Sequence, residues 1–341
     1  MQAKRLAFWL VALASTLILG PNTGSAQTAP LVSVLAWHPT NNDILALGRA
    51  DGSIVIRDVA ANQALQTLYA HTDRVASLAW SPDASMLASS GWDNSVIVWD
   101  VSTGEPISMV PLRDPLWMQT LAFNNEGTFV LGGNSGAQGG VTLHVWEAAT
   151  GNLVYEAMAG EVYTIEFDRL NDRFAVGGLT PIFAIHSGSS FERLGISRLA
   201  DNGIRPEVQL VDTLAWNADS TLVATGHMNG IVRVWDMTAD PITASLELIA
   251  NDTDSLDYDI ADVRAVIFRA CDRQVVAYSA NGTLRGWETE TGEVFIDDQF
   301  DDGIIAAEFS PDGSLLAYSA DGVDDIVIEP VSASPAPCDI P

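Results

Sequence analysis

Short apolar runs of β character recur along the chain, and each ends on an aromatic residue: Leu35-Ala36-Trp37, Leu78-Ala79-Trp80, Leu121-Ala122-Phe123, Ile165-Glu166-Phe167, Leu214-Ala215-Trp216, Val266-Ile267-Phe268 and Ala307-Glu308-Phe309. The steps between closing aromatics are 43, 43, 44, 49, 52 and 41 residues. After each marker comes a turn such as Ser81-Pro82-Asp83 or Ser310-Pro311-Asp312-Gly313, then a second apolar run. A polar corner opens a third run, as in Asp93-Asn94-Ser95-Val96-Ile97-Val98-Trp99-Asp100 and Asn229-Gly230-Ile231-Val232-Arg233-Val234-Trp235-Asp236. Turns such as Ser102-Thr103-Gly104 and Glu290-Thr291-Gly292 then lead to a fourth. Runs of this length bounded by Gly, Pro, Asn and Asp read as strands in hairpins. The pattern predicts an all-β chain of seven units, each a four-stranded antiparallel sheet.

A period of about 40 to 45 residues is that of a propeller blade, so the expected fold is a seven-bladed β-propeller over residues 31–331. The Trp-Asp or Trp-Glu endings at 99, 146, 235 and 287 resemble the WD-repeat family, here in an exported, bacterial-type form. Blade two matches best. The resemblance implies that His71, Ser89 or Ser90, Asp93 and Trp99 form a buried hydrogen-bonded set linking its strands, with a structural rather than catalytic role. Asp51, Asn229, Asn281 and Asp321 occupy the place of Asp93 in their own blades. Departures are Arg57 in the Trp position of blade one, Ile328-Glu329 in blade seven, and no recognisable third-strand ending in blade four. The outer strand of blade four is expected near Phe191–Leu194.

The N-terminus changes the setting. Lys4 and Arg5 precede an apolar run of 14 residues from Leu6 to Leu19, and Gly24-Ser25-Ala26 suits cleavage before Gln27. Residues 1–26 thus read as a secretory signal; an uncleaved anchor is the alternative, though the run is short of the ~20 residues a spanning helix needs. The mature chain is expected to be secreted or periplasmic, without a stable membrane span, and monomeric. Forty-four Asp and Glu against 16 Lys and Arg give a formal charge of −28, which disfavours nucleic acid as a partner.

No zinc-protease helix motif, phosphate loop or nucleophile elbow occurs, and the five histidines fall in different repeats without a sequence-near metal partner. No cofactor is expected, with calcium the one ion the acidic loops could take. Those loops carry Asp252, Asp254, Asp257, Asp259 and Asp262 before blade six, Asp301 and Asp302 before blade seven, and Asp321, Asp324 and Asp325 within it. Propeller topology puts them on one face, the upper one, where Arg74, Trp92 and Trp117 are the candidate anchors for a protein or peptide. The expected function is a non-catalytic scaffold for protein–protein interaction. The alternatives are a ligand or glycan sensor using the propeller mouth, and a calcium-dependent propeller hydrolase.

Cys271 and Cys338 are the only cysteines. Topology opens both places onto the same face of adjacent blades, and export favours a disulfide that pins the Pro-rich tail, residues 332–341. Mass spectrometry of the unreduced mature chain is expected to find the Cys271 and Cys338 peptides joined; two free thiols would remove the clasp.

Overall fold

A computed structural model describes residues 30–112, 118–134, 142–178, 183–197, 210–250, 262–269, 272–300, 303–320 and 325–331. Within them, twenty-seven strands form seven antiparallel sheets, and in each sheet the strands lie side by side in chain order. Six blades have four strands; blade seven has three among the described residues. The chain is a seven-bladed β-propeller. Second and third strands are buried almost throughout, as at Met86–Gly91 and Ser95–Asp100, so they read as continuous apolar runs. Outer strands such as Thr243–Ile249 alternate exposed and covered residues, because one face meets water.

The core is divided among the blade interfaces. In one cluster Ala46, Ile54 and Leu68 of blade one meet Val75, Leu78, Leu87, Ile97 and Trp99 of blade two. Another joins Val32, Leu35, Trp37 and Val55 of blade one to Ala317 of blade seven.

Two repeated devices set the spacing of these interfaces. Gly48, Gly133, Gly177 and Gly226 hold the same register in the second strands of their blades. A Cβ on any of them would come closer than 3.0 Å to the first inner-strand residue of the next blade, Val75, Val162, Val211 or Val263. The missing side chain is what lets each new blade seat. In blades two and seven the position is serine, and the hydroxyls of Ser90 and Ser319 donate to Met118 O and Val32 O, each at 3.0 Å. The second device belongs to the closing tryptophans. The indole N–H groups of Trp37, Trp80 and Trp216 donate to the carbonyls of Glu308, Ala36 and Glu166 in the preceding blade, at 3.1, 2.9 and 3.1 Å.

The same contacts close the ring. Trp37 bonds Glu308 through its indole and through its backbone N–H, which donates to Glu308 Oε2 at 2.9 Å. Ser319 bonds Val32, and Arg57 pairs with Asp325 across the junction. Residues 332–341, Cys271 and Cys338 lie outside the described residues.

Blade four departs from expectation in its outer half. Its outer strand is Arg193–Ile196, not Phe191–Leu194. Phe191 sits in the preceding turn at φ 60°, and its buried ring packs against Phe129 and Tyr155 of blade three. Its third strand is Ala184–Ser187, with His186 in the register taken by Trp99 in blade two. The His186 ring stacks on Phe174 at 5.1 Å, and its Nδ1 donates to Phe191 O at 2.9 Å.

Gly226→Val is expected to destabilise the chain by about 1–3 kcal/mol through overpacking against Val263. Gly195→Ala, where an added Cβ meets nothing within 4 Å, should stay within about 0.5 kcal/mol. Urea unfolding midpoints of the two variants check the contrast.

Candidate functional site

In blade two, His71 runs from the corner before the inner strand into the sheet. Its Nε2 lies 2.7 Å from Ser89 Oγ, which also accepts the Trp99 indole N–H at 2.8 Å. Ser89, not Ser90, is therefore the serine of the set. The His71 Nδ1 lies 3.0 Å from Asp93 Oδ2. An ionised Asp93 can only accept, so in neutral His71 the proton sits on Nδ1, and Nε2 takes the Ser89 hydroxyl proton. Burial lowers the His71 pKa, with Asp93 opposing it in part. Burial alone would raise Asp93, but hydrogen bonds from Thr72 N–H and Ser95, with His71 beside it, leave the carboxyl below its usual range. Every group of the set is engaged, which makes it a fold element.

Blade five builds the same device differently. Trp235 donates to Thr225 Oγ1 at 2.9 Å, and that hydroxyl lies 2.8 Å from Nε2 of His227, which stands at the register of Gly91. Arg233, fully buried, reaches His227 at 3.1 Å and Glu247 at 2.9 Å. His227 is buried inside the blade.

On the upper rim, Trp92 is 45% exposed, and the Arg74 guanidinium lies 5.2 Å from its ring centroid. The Trp92 N–H donates to Arg74 O at 2.9 Å. Tyr69, 78% exposed, ends the outer strand of blade one on the same face. Trp117, Asp252, Asp254, Asp257, Asp259, Asp301, Asp302, Asp321 and Asp324 lie outside the described residues. Of the acidic loop residues, Asp262 and Asp325 are described. Asp262 is buried beside Arg264, 3.1 Å away, because the chain folds inward there to enter the channel wall. Asp325 is turned to Arg57 of blade one and serves the ring junction.

A β-bulge recurs at the second residue of every inner strand, at Ser33, Ala76, Gln119, Tyr163, Asp212, Arg264 and Ile305. Bulges re-aim side chains, and here they gather polar groups of blades four to six at the upper channel. Tyr163 donates to Glu161 at 2.6 Å, and Arg264 reaches Asp212 at 3.8 Å. Burial, with Glu161 adding to it, pushes the Tyr163 phenol well above its usual range. Burial also raises Asp212, opposed by the Arg264 guanidinium and a hydrogen bond with Asp262.

The lower channel holds two acids that the sequence reading passed over. Glu166 and Glu308 occupy the position before the closing aromatic, where the other blades have Ala36, Ala79, Ala122, Ala215 and Ile267. That break in the repeat was the available signal. Both side chains are half-buried, one in blade four and one in blade seven. Burial pushes Glu166 up to about 7, with Arg169 opposing, and Glu308 up to about 8, the Trp37 N–H opposing and Glu166 reinforcing. A lower cleft of about 670 Å³, lined by residues 39–43, Arg169, Pro311 and Asp312, opens between blades one, four and seven. Among the described residues no group of three or more His, Cys, Asp or Glu is arranged to hold a metal ion, and no helix is long and apolar enough to cross a membrane.

Both glutamates hold a proton more tightly in the folded chain than at their ordinary 4.5. Their contribution to stability is complete below that pH and is lost as pH rises through about 7 and 8. Glu308→Gln keeps an acceptor for Trp37 N–H and cannot ionise. Thermal midpoints measured from pH 5 to 9 should fall less steeply with pH in this variant than in the native chain; equal slopes would contradict the assignment.

Residues 62–100 and 207–236, in blades two and five, match the family model described as "WD domain, G-beta repeat". Transducin beta-like protein 3 of Rattus norvegicus is 33% identical over 135 residues, 37% of this chain and 16% of that protein. Cross-pathway control WD-repeat protein 2 of Flammulina velutipes is 26% identical over 176 residues, 50% of this chain and 53% of that protein. Protein transport protein SEC31 of Saccharomyces cerevisiae is 39% identical over 99 residues, 27% of this chain and 8% of that protein. The matches thus span about half of these relatives or much less. All three are eukaryotic and give no support to a bacterial type. The crystal structure of the Cps50 (Swd1) β-propeller domain of Myceliophteria thermophila superposes with a TM-score of 0.72 at 18% identity, covering 91% of this chain and 100% of that one, a likeness of fold. Residues 62–100 and 207–236 are thus similar to WD repeats of the G-beta kind, and the chain that holds them is a seven-bladed propeller.

Proposed function

We propose that the chain is a non-catalytic scaffold that binds a protein or peptide partner on its upper rim, outside the cytoplasm. The observation that carries this reading is the exposed Trp92, braced by the Arg74 guanidinium 5.2 Å from its ring, with Tyr69 exposed on the same face. Trp, Tyr and Arg dominate the energetics of protein interfaces, and a ring already held in place loses little freedom on binding. The net charge of −28 favours a partner that presents basic groups. The location rests on Lys4, Arg5 and the apolar run up to Leu19.

Immobilised native chain and its Trp92→Ala and Tyr69→Ala variants test the rim against proteins of the compartment that holds the mature chain. A specific partner should be retained by the native chain and weakened about 30-fold or more by Trp92→Ala, with unfolding midpoints unchanged. Equal retention by all three overturns the rim reading. N-terminal sequencing should find the mature chain beginning at Gln27, whereas a cytoplasmic chain beginning at Met1 overturns the location.

A further inference from the structure

The outer strands of blades one to six each bulge by one residue near the end of the third strand, and the extra residue is Leu65, Ile107, Val154, Leu194, Ser245 or Phe295 in turn. A bulge re-aims its side chain out of the regular ladder. In blade six Phe295 folds back over Gly286, and in blade five the residue is serine. In blades one to four it is aliphatic and exposed, Leu194 by 63%. Met109 and Ile196, two residues further along their strands, continue the same exposed face, and Met158 extends it in blade three. Successive outer strands are joined, since the turn at Gly151 of blade three lies against Val110 of blade two and Phe191 of blade four packs on Tyr155 of blade three. Single apolar side chains on a surface are ordinary, but a row carried across successive blades marks an interaction site. The outer strands of blades one to four, Gln63–Tyr69, Pro106–Pro111, Leu153–Ala157 and Arg193–Ile196, hold just two charged residues, Glu156 and Arg193, of opposite sign. Both are exposed, and neither makes an ion pair among the described residues. The outer strands of blades five and six carry Glu247, Asp297 and Asp298 instead.

We propose that the side wall of blades two to four binds a second copy of the chain, in a two-fold pair, where the sequence reading expects a monomer. A two-fold axis brings the same wall of both copies together, so the contact must be self-complementary. This wall meets that condition: apolar rows face apolar rows, and Glu156 of each copy faces Arg193 of the other. The net charge of −28 repels a second copy wherever the surface is acidic, as on the wall of blades five and six, and leaves this side as the approach that sets fewest like charges together. A lipid layer fits less well, because anionic headgroups meet the same repulsion and Glu156 and Arg193 would find no partner in hydrocarbon. Trp92 lies on the upper rim rather than on this wall, so a pair presents two rims, and the pairing stands whether or not the rim reading does.

Sedimentation velocity of the purified full chain, over a series of micromolar concentrations, reads the pairing directly. The native chain should pass from monomer to dimer and stop there. Leu194→Glu, which places a charge in the apolar row of both copies, should weaken the dimer about 30-fold or more. Ile249→Glu, the same kind of change at an exposed apolar residue of blade five, should leave it unchanged, as should Trp92→Ala. Glu156→Arg sets arginine against arginine and should weaken the dimer about tenfold, and adding Arg193→Glu to it should restore native affinity. Unfolding midpoints of these surface variants should match that of the native chain. A chain that stays monomeric, a dimer indifferent to Leu194→Glu, or a double variant that pairs no better than Glu156→Arg alone would overturn the proposal. Flotation of a monomeric chain with phosphatidylcholine vesicles would overturn it in favour of a lipid surface.

Discussion

Six of the seven blades are seated on their predecessors by contact between the first residue of the inner strand and a side-chain-free or serine position on the neighbouring second strand; at the seventh interface the position is Tyr278, which packs against Ile304 of blade seven. At Gly48, Gly133, Gly177 and Gly226 a Cβ would collide with the incoming valine. Where the neighbour carries serine, the close approach becomes a hydrogen bond to the incoming backbone. The apolar clusters can fill only because these approaches are short, and the tryptophan indoles then tie one blade to the carbonyls of the last. A sheet of four strands has two faces to cover and cannot do so alone, so the interface between blades is the unit of stability. The channel follows from it, since the same seating places seven inner strands around one axis.

How much of this could be read from the residues depended on whether a position repeats. Closing aromatics, turns and Trp-Asp endings recur, and from them came the number of blades and the strand order, while the His71, Asp93 and Trp99 set followed from the resemblance to WD repeats. Blade four was obscure for a physical reason: His186 replaces the tryptophan by stacking on Phe174, and Phe191 spends its apolar surface on the neighbouring blade instead of in a strand. Asp262 looked like one more loop acid because composition does not show that the chain turns inward beside Arg264. Glu166 and Glu308 stand inside the repeat markers, one residue before the aromatic that defines the period. Deviations from a repeat, more than the repeat itself, point to chemistry here, because the fold has no need of them.

The two ends of the channel differ accordingly. At the upper end, bulged residues of blades four to six neutralise one another in a network of ion pairs and hydrogen bonds, and the exposed aromatic surface lies farther out, at Trp92 and Tyr69. At the lower end, Glu166 and Glu308 are half-buried, and a polar cleft lined by Asp43, Arg169 and Asp312 opens between blades one, four and seven.

If seating at the inner strands holds the ring, blade seven must be as firmly fixed as any other blade despite having three strands among the described residues. Native-state hydrogen exchange of the backbone amides measures this directly. Amides of the inner strands Val32–Trp37 and Ile304–Phe309, which meet at the junction, should be protected to the same degree as those of Val162–Phe167 and Val211–Trp216 on the far side of the ring. Faster exchange of blade seven as a separate unit would show that the ring opens at that junction, and that inner-strand seating does not hold it closed.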